Sequence, residues 1–130
     1  MTVFIDTSGI YALLDRSDAG HTRALRGRDH MVGEELVTHA YVVAELLSLV
    51  RRRLGSEAAA RLIDEFLPAL RVVDVDEGLR TRALASFRAA VDTDVSFVDR
   101  TSFECMRDLG ITRVFALDTD FATAGFELVS

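Results

Sequence analysis

The chain has 130 residues, 49% of them hydrophobic and 28% charged, a balance that fits one soluble domain with its own core and excludes a disordered tail. Its 15 basic residues are all arginine and stand against 21 acids, a net charge of −6. The lack of lysine excludes Schiff-base chemistry and the phosphate-cradling loop that needs a Gly-rich GK[ST] string.

An acidic total argues against a protein built to coat nucleic acid, while allowing a local arginine patch beside an acidic site. The single cysteine, Cys105, has no partner in the chain, and Met1 is followed at once by Thr2-Val3-Phe4-Ile5-Asp6 with no basic, apolar leader. These features, with no apolar run of membrane-spanning length, set the expectation of a cytoplasmic protein without a membrane anchor.

Val3-Phe4-Ile5 is a β-branched and aromatic run, and Asp6-Thr7-Ser8 supplies small polar residues that can cap a helix carrying Ile10, Leu13 and Leu14. A second short helix is predicted over His21 to Arg26, ended by Gly27, and a weak strand at Leu36-Val37-Thr38. From His39 to Leu54, Val42, Val43, Leu46, Leu47, Leu49 and Val50 recur at helical spacing, and Gly55 is placed to end the helix. Ser56 can cap a further helix from Glu57 to about Leu67, interrupted by Pro68.

Arg71 to Val75 reads as a strand, and Asp76-Glu77 open a helix running to about Val91. After the polar Asp92-Thr93-Asp94 link, Phe97 to Leu109 forms an amphipathic helix closed by Gly110. Val114 to Leu117 is a continuous apolar run that reads as a buried strand and halts at Asp118-Thr119-Asp120, and Glu127-Leu128-Val129 reads as the last strand. No repeat, linker or low-complexity tract interrupts this alternation. It predicts one α/β domain over residues 1–130, a sandwich around a mostly parallel, roughly five-stranded sheet.

In such a sheet the ligand site lies outside the carboxyl ends of the strands, where strand order reverses. Asp6 and Asp118 each follow a predicted strand, although either is as readily a helix cap or turn residue. Two more acids lie inside helices beside apolar stripes. Glu45 has Val42 three residues before it and Leu49 four after, and Asp99 shares a face with Phe103 and Met106.

Carboxylates so placed are expected to be partly desolvated and to need a cation, a hydrogen-bond donor or a proton, with a buried ion pair to an arginine as the structural alternative. Oxygen-only ligands from separated segments, without a His or Cys cluster, suit a hard divalent cation such as Mg²⁺ or Mn²⁺ rather than zinc. Such an ion serves to activate water and to stabilise an anionic phosphoryl transition state.

Candidate phosphate-holding cations are Arg52, seven residues after Glu45, and Arg100, adjoining Asp99. Arg51-Arg52-Arg53 read equally well as helix C-terminal charges. His21, His30 and His39 have no metal-binding spacing and read as surface or capping residues. Stripes such as Phe66, Leu67 and Leu70, or Leu79, Leu84 and Phe87, are core or interface before anything else.

The strings Val3-Phe4-Ile5-Asp6-Thr7-Ser8, Val43-Ala44-Glu45-Leu46, Ser96-Phe97-Val98-Asp99 and Ala116-Leu117-Asp118-Thr119-Asp120-Phe121, in that order and with Gly125-Phe126 beyond, resemble the PIN-domain ribonucleases. The nearest likeness is to the VapC-type toxins of bacterial toxin-antitoxin pairs, and it spans the whole chain. Each string is weakly specific alone, and the four together are a strong joint signal.

The resemblance implies a three-layer α/β/α fold and an acidic quartet of Asp6, Glu45, Asp99 and Asp118, with Thr7 or Ser8 supporting the first carboxylate. Asp120 is an additional ligand, an outer-shell acid, or a competitor with Asp118, which the family-like Asp-x-x-Phe spacing favours. Where the family often has a serine or threonine two residues before the fourth acid, this chain has Ala116, which removes one hydrogen bond.

The implied activity is Mg²⁺- or Mn²⁺-dependent endonucleolytic hydrolysis of RNA, leaving a 5′-phosphate and a 3′-hydroxyl. A homodimer and an inhibiting VapB-like antitoxin are implied with it. An inert PIN fold acting as a binding module is the alternative. A phospho-acceptor receiver domain would need a lysine that this chain lacks, and a haloacid-dehalogenase-like phosphatase would also want Asp-x-Asp where it has Asp6-Thr7-Ser8.

Overall fold

The computed structural model describes residues 1–130. Its centre is a parallel sheet of β1 (Thr2–Ile5), β2 (Glu35–His39), β3 (Arg71–Val73), β4 (Arg113–Phe115) and β5 (Glu127–Leu128), in the order β3-β2-β1-β4-β5. Parallel neighbours require crossovers, which are supplied by α1 (Thr7–Leu14), α2 (His21–His30), α3 (Ala40–Leu54), α4 (Ser56–Arg61), α5 (Glu77–Ala89), α6 (Phe97–Leu109) and the short α7 (Asp120–Thr123). None of these helices is long and apolar enough to cross a membrane.

Alternation along β1 builds the layers. Val3 and Ile5 pack into one apolar cluster with Ile10, Leu46, Val50 and Phe115, while Phe4 enters a second with Phe103, Met106, Val114 and Phe121. The central strand is therefore covered on both faces, which is why it is an unbroken apolar run. The result is the expected three-layer α/β/α arrangement.

Several boundaries differ from the sequence expectation for identifiable reasons. α2 does not stop at Gly27 but runs on to His30. A Cβ at Gly27 would lie 2.7 Å from the Phe115 ring and 2.8 Å from the Val129 carbonyl oxygen, so the glycine permits close helix–sheet approach instead of ending the helix.

Ser56 is the first helical residue of α4 and makes no capping bond; Gly55, at φ 96°, precedes it. Beyond α4 the chain widens into a π-helical turn over Leu62–Phe66 and a 3₁₀ turn over Leu67–Ala69, because Pro68 has no N–H to continue an α-helix. β4 ends at Phe115, two residues early, since the Leu117 N–H turns to the Ser8 hydroxyl rather than to a strand.

Candidate active site

β1 pairs with β2 on one side and β4 on the other, so strand order reverses between β1 and β4. The carboxyl ends of these two strands are the place where a parallel α/β sheet leaves a crevice. Asp6 leaves β1 there as the N-cap of α1, 3% exposed, its Oδ2 accepting from the Ser8 N–H at 3.1 Å and the Ser8 hydroxyl at 2.6 Å.

The same Ser8 hydroxyl accepts the Leu117 N–H at 3.0 Å, tying the Asp6 corner to the loop that carries Asp118. Ser8 is therefore the polar neighbour that supports Asp6, and it serves the backbone beside Ala116, which has no hydroxyl of its own. Thr7 does not share that role: its Oγ1 is buried without a hydrogen-bond partner.

Asp6, Glu45, Asp99 and Asp118 line one open cleft of about 420 Å³, with Ser8, Tyr11 and Ser96 among its walls. Asp99 sits in the first turn of α6, where the Ser96 hydroxyl caps the helix by accepting the Asp99 N–H at 3.0 Å. Glu45 departs from expectation. The buried stripe of α3 is Val42, Leu46 and Val50, and Glu45 stands on its solvent side, exposed rather than desolvated.

Asp120 lies beside the cleft rather than in its wall. One carboxylate oxygen each from Asp99, Asp118 and Asp120 lie within 4.8 Å of one another, and Asp118 accepts the Asp120 N–H at 2.9 Å. Asp118 is thus shared between two groupings, the quartet in the cleft and the tighter triad with Asp99 and Asp120.

The electrostatics are those of crowded acids. Burial raises the Asp6 carboxyl to about 6 against the two Ser8 hydrogen bonds that lower it, and the Glu45 and Asp118 charges add to the rise. Asp99 is pushed up to about 8, first by burial and then by the charges of Asp6 and Asp118. Asp120 is raised too, by burial and by Asp118.

Neither arginine nor histidine lines the cleft, although Asp18 and Asp94 do. An all-oxygen donor set on separated segments, with no protein cation in the cleft wall, fits a hard divalent ion.

The arginines divide by position. Arg52 lines a different surface groove with Leu47, Ser48 and Arg51, away from the acids. Arg100 stays near the site: its guanidinium lies 5.8 Å from the Phe103 ring centre, donates to Thr93 Oγ1 at 3.4 Å and offsets part of the rise at Asp120.

Sequence reasoning missed Tyr11, a wall of the cleft, and Arg53, which lies over its ring at 5.5 Å. Eight residues separate Glu45 from Arg53 with Leu49 midway, a spacing of two fours that marks the same face as well as the seven that pointed to Arg52. Asp18 accepts the Gly20 N–H at 2.8 Å, a turn role that its sequence context already signals.

A family model for the PIN domain matches residues 3–127. Over 128 residues, 95% of this chain and 95% of the relative, the sequence is 35% identical to the 23S rRNA-specific endonuclease VapC20 of Mycobacterium tuberculosis. The crystal structure of that protein, described as a Sarcin-Ricin loop cleaving toxin, superposes with a TM-score of 0.85 over 95% of each chain. FitAcB from Neisseria gonorrhoeae, 21% identical, shares the fold at a TM-score of 0.74, covering 100% of this chain and 97% of that one.

Proposed function

The chain belongs to the PIN-domain family, and on that premise we propose that it is an endoribonuclease acting as the toxin of a VapBC-type toxin-antitoxin pair. The observation that carries this reading is the cluster of Asp6, Glu45, Asp99 and Asp118 at the strand-order reversal, with Asp6 and Asp99 raised in proton affinity and no cation in the cleft wall. Four acids from four separated segments have no structural need to face one another, and their repulsion is unfavourable unless something positive joins them.

Asp6 and Asp99 are the residues proposed to hold a divalent ion, with Asp118 joining them and Asp120 closing the triad from the side. Bound there, Mg²⁺ or Mn²⁺ supplies Lewis-acid stabilisation of a phosphoryl oxygen and a more acidic water. Ser8 fixes the Asp6 carboxylate through its hydroxyl and N–H, so the carboxylate does not have to reorganise when substrate binds. Glu45, exposed at the rim, is placed to orient the attacking water and take its proton, and Arg100 to neutralise a phosphate on the Asp120 side.

Identity of 35% to an enzyme named for 23S rRNA makes 23S rRNA the substrate to test first. The same reading includes an antitoxin that covers the cleft and a homodimer. Purified protein with Mg²⁺ should cut 23S rRNA into discrete fragments bearing 5′-phosphates. Intact 23S rRNA beside cleavage of another RNA would replace the substrate, and every RNA class left intact would overturn the ribonuclease reading.

A further inference from the structure

We propose that Arg53 grips a backbone phosphate of the RNA beside the scissile bond, and that Tyr11 is the platform that holds it there; this rests on the ribonuclease reading. α3 runs along the cleft and contributes Glu45 and Leu49 to its wall, and Arg53 follows Leu49 after one more turn. Eight residues at the helical rise put Arg53 about 12 Å along the axis from Glu45, a reach of one to two nucleotides on an extended strand.

The platform is rigid. Tyr11 is a buried cleft residue of α1 whose hydroxyl donates to Asp15 Oδ2 at 2.7 Å, and Asp15 is itself pinned by the Ser17 N–H at 2.9 Å and hydroxyl at 2.6 Å. The Arg53 guanidinium lies over this ring at 5.5 Å and forms no ion pair within 4.0 Å of a carboxylate. Asp15 is the acid that feels its charge, and both Asp15 oxygens are already engaged by Tyr11 and Ser17.

An arginine stacked on an aromatic face loses little freedom on binding; Arg53 also sits close enough to the Tyr11 hydroxyl to favour its ionised form, and with no carboxylate partner the rest of its planar donor fork is left for phosphate. Arg51 and Arg52 share its helix end but line a different groove, so the macrodipole accounts for them and leaves the stacking of Arg53 unexplained.

The test uses the full chain carrying Asp99→Asn, which removes cleavage and leaves an RNA-binding surface to measure by fluorescence anisotropy. Adding Arg53→Gln should weaken binding of a single-stranded RNA about tenfold, the worth of one charge-assisted contact. It should also flatten the plot of log K against log salt by about 0.7, one phosphate contact on a single strand.

In otherwise native protein Arg53→Gln should raise KM with kcat little changed, and Arg53→Lys should restore part of the affinity. The control Arg26→Gln, on the exposed face of α2, should alter none of these. RNA binding that Arg53→Gln leaves unchanged in strength and salt slope overturns this proposal alone. No RNA binding by the Asp99→Asn protein overturns the ribonuclease reading and this proposal together.

Discussion

The imidazole of His39 donates from Nε2 to the Ser102 hydroxyl at 2.9 Å, joining the start of α3 to the middle of α6 inside the core. The proton's place follows from the other nitrogen, since Nδ1 caps α3 by accepting the N–H groups of Tyr41 at 3.2 Å and Val42 at 3.3 Å. Ser102 passes its own hydrogen to the Val98 carbonyl at 3.0 Å. The two helices that carry Glu45 and Asp99 are thereby tied through one buried ring.

Burial holds the His39 imidazole down to about 4, below its ordinary 6.5. A folded-state value below the unfolded one means that the stability it contributes is complete above pH 6.5 and is lost as pH falls toward 4. Replacing His39 by Ala should cost about 2–4 kcal/mol at pH 7.5 by removing a cap, a buried hydrogen bond and ring volume. Urea unfolding at pH 7.5 and pH 5 measures this, and the variant should lose less further stability on acidification than the parent does.

Asp99 works in the opposite direction. Its folded-state value of about 8 lies above the ordinary 3.8, so the stability it contributes is complete at low pH and is lost as pH rises through 8. Between pH 6.5 and 8 His39 no longer titrates and Asp6, at about 6, is mostly ionised, so Asp99 dominates the slope, with Asp120 acting in the same sense. Metal-free protein should therefore lose thermal stability from pH 6.5 to 8. Mn²⁺ should restore more of it at pH 8 than at pH 6.5, as differential scanning fluorimetry would record.

Asp6→Asn separates the chemical use of the site from its structural cost. The amide oxygen can still accept from Ser8, while the desolvated charge is gone. The variant should unfold at or above the parent's Tm without metal at pH 8, and should cut RNA more slowly by on the order of 100-fold or more. A parent-like rate in the folded variant would remove Asp6 from the reaction.

Packing against Phe115 gives a further expectation. Gly27→Ala would place a methyl group against the Phe115 ring and the Val129 carbonyl and should destabilise by about 1–3 kcal/mol. Gly78→Ala, in the first turn of α5 with 3.4 Å to its nearest neighbour, should change stability by less than about 0.5 kcal/mol. Equal stabilities of the two variants would contradict the close-packing account of Gly27.

The order of the acids was legible because strand ends and helix starts are local features. Asp6 follows a run of Val, Phe and Ile, and Asp99 lies near the start of the amphipathic helix from Phe97 to Leu109 that follows the polar Asp92-Thr93-Asp94 link. What local pattern does not contain is which neighbour the fold brings across. The Ser8–Leu117 hydrogen bond spans 109 residues, and His39–Ser102 spans 63.

Gly27 shows the same limit, since a terminating glycine and a close-packed one look alike until Phe115 is known to lie beneath it. Arg53 was hidden by a helical period in which seven and eight residues both return near the starting face; only the position of Tyr11 on another helix decides between Arg52 and Arg53. Glu45 looked desolvated because it adjoins the Val42-Leu46-Val50 stripe, yet it stands to the solvent side of that stripe and is exposed.

Cleavage of 23S rRNA by the purified protein, compared with its Asp99→Asn variant and with EDTA in place of Mg²⁺ or Mn²⁺, tests most directly the claim that the clustered acids hold a divalent ion for RNA hydrolysis. Discrete fragments that need the ion, need Asp99 and carry 5′-phosphates are the predicted result. Equal cleavage in EDTA, or by a folded Asp99→Asn protein, would contradict the account at its centre.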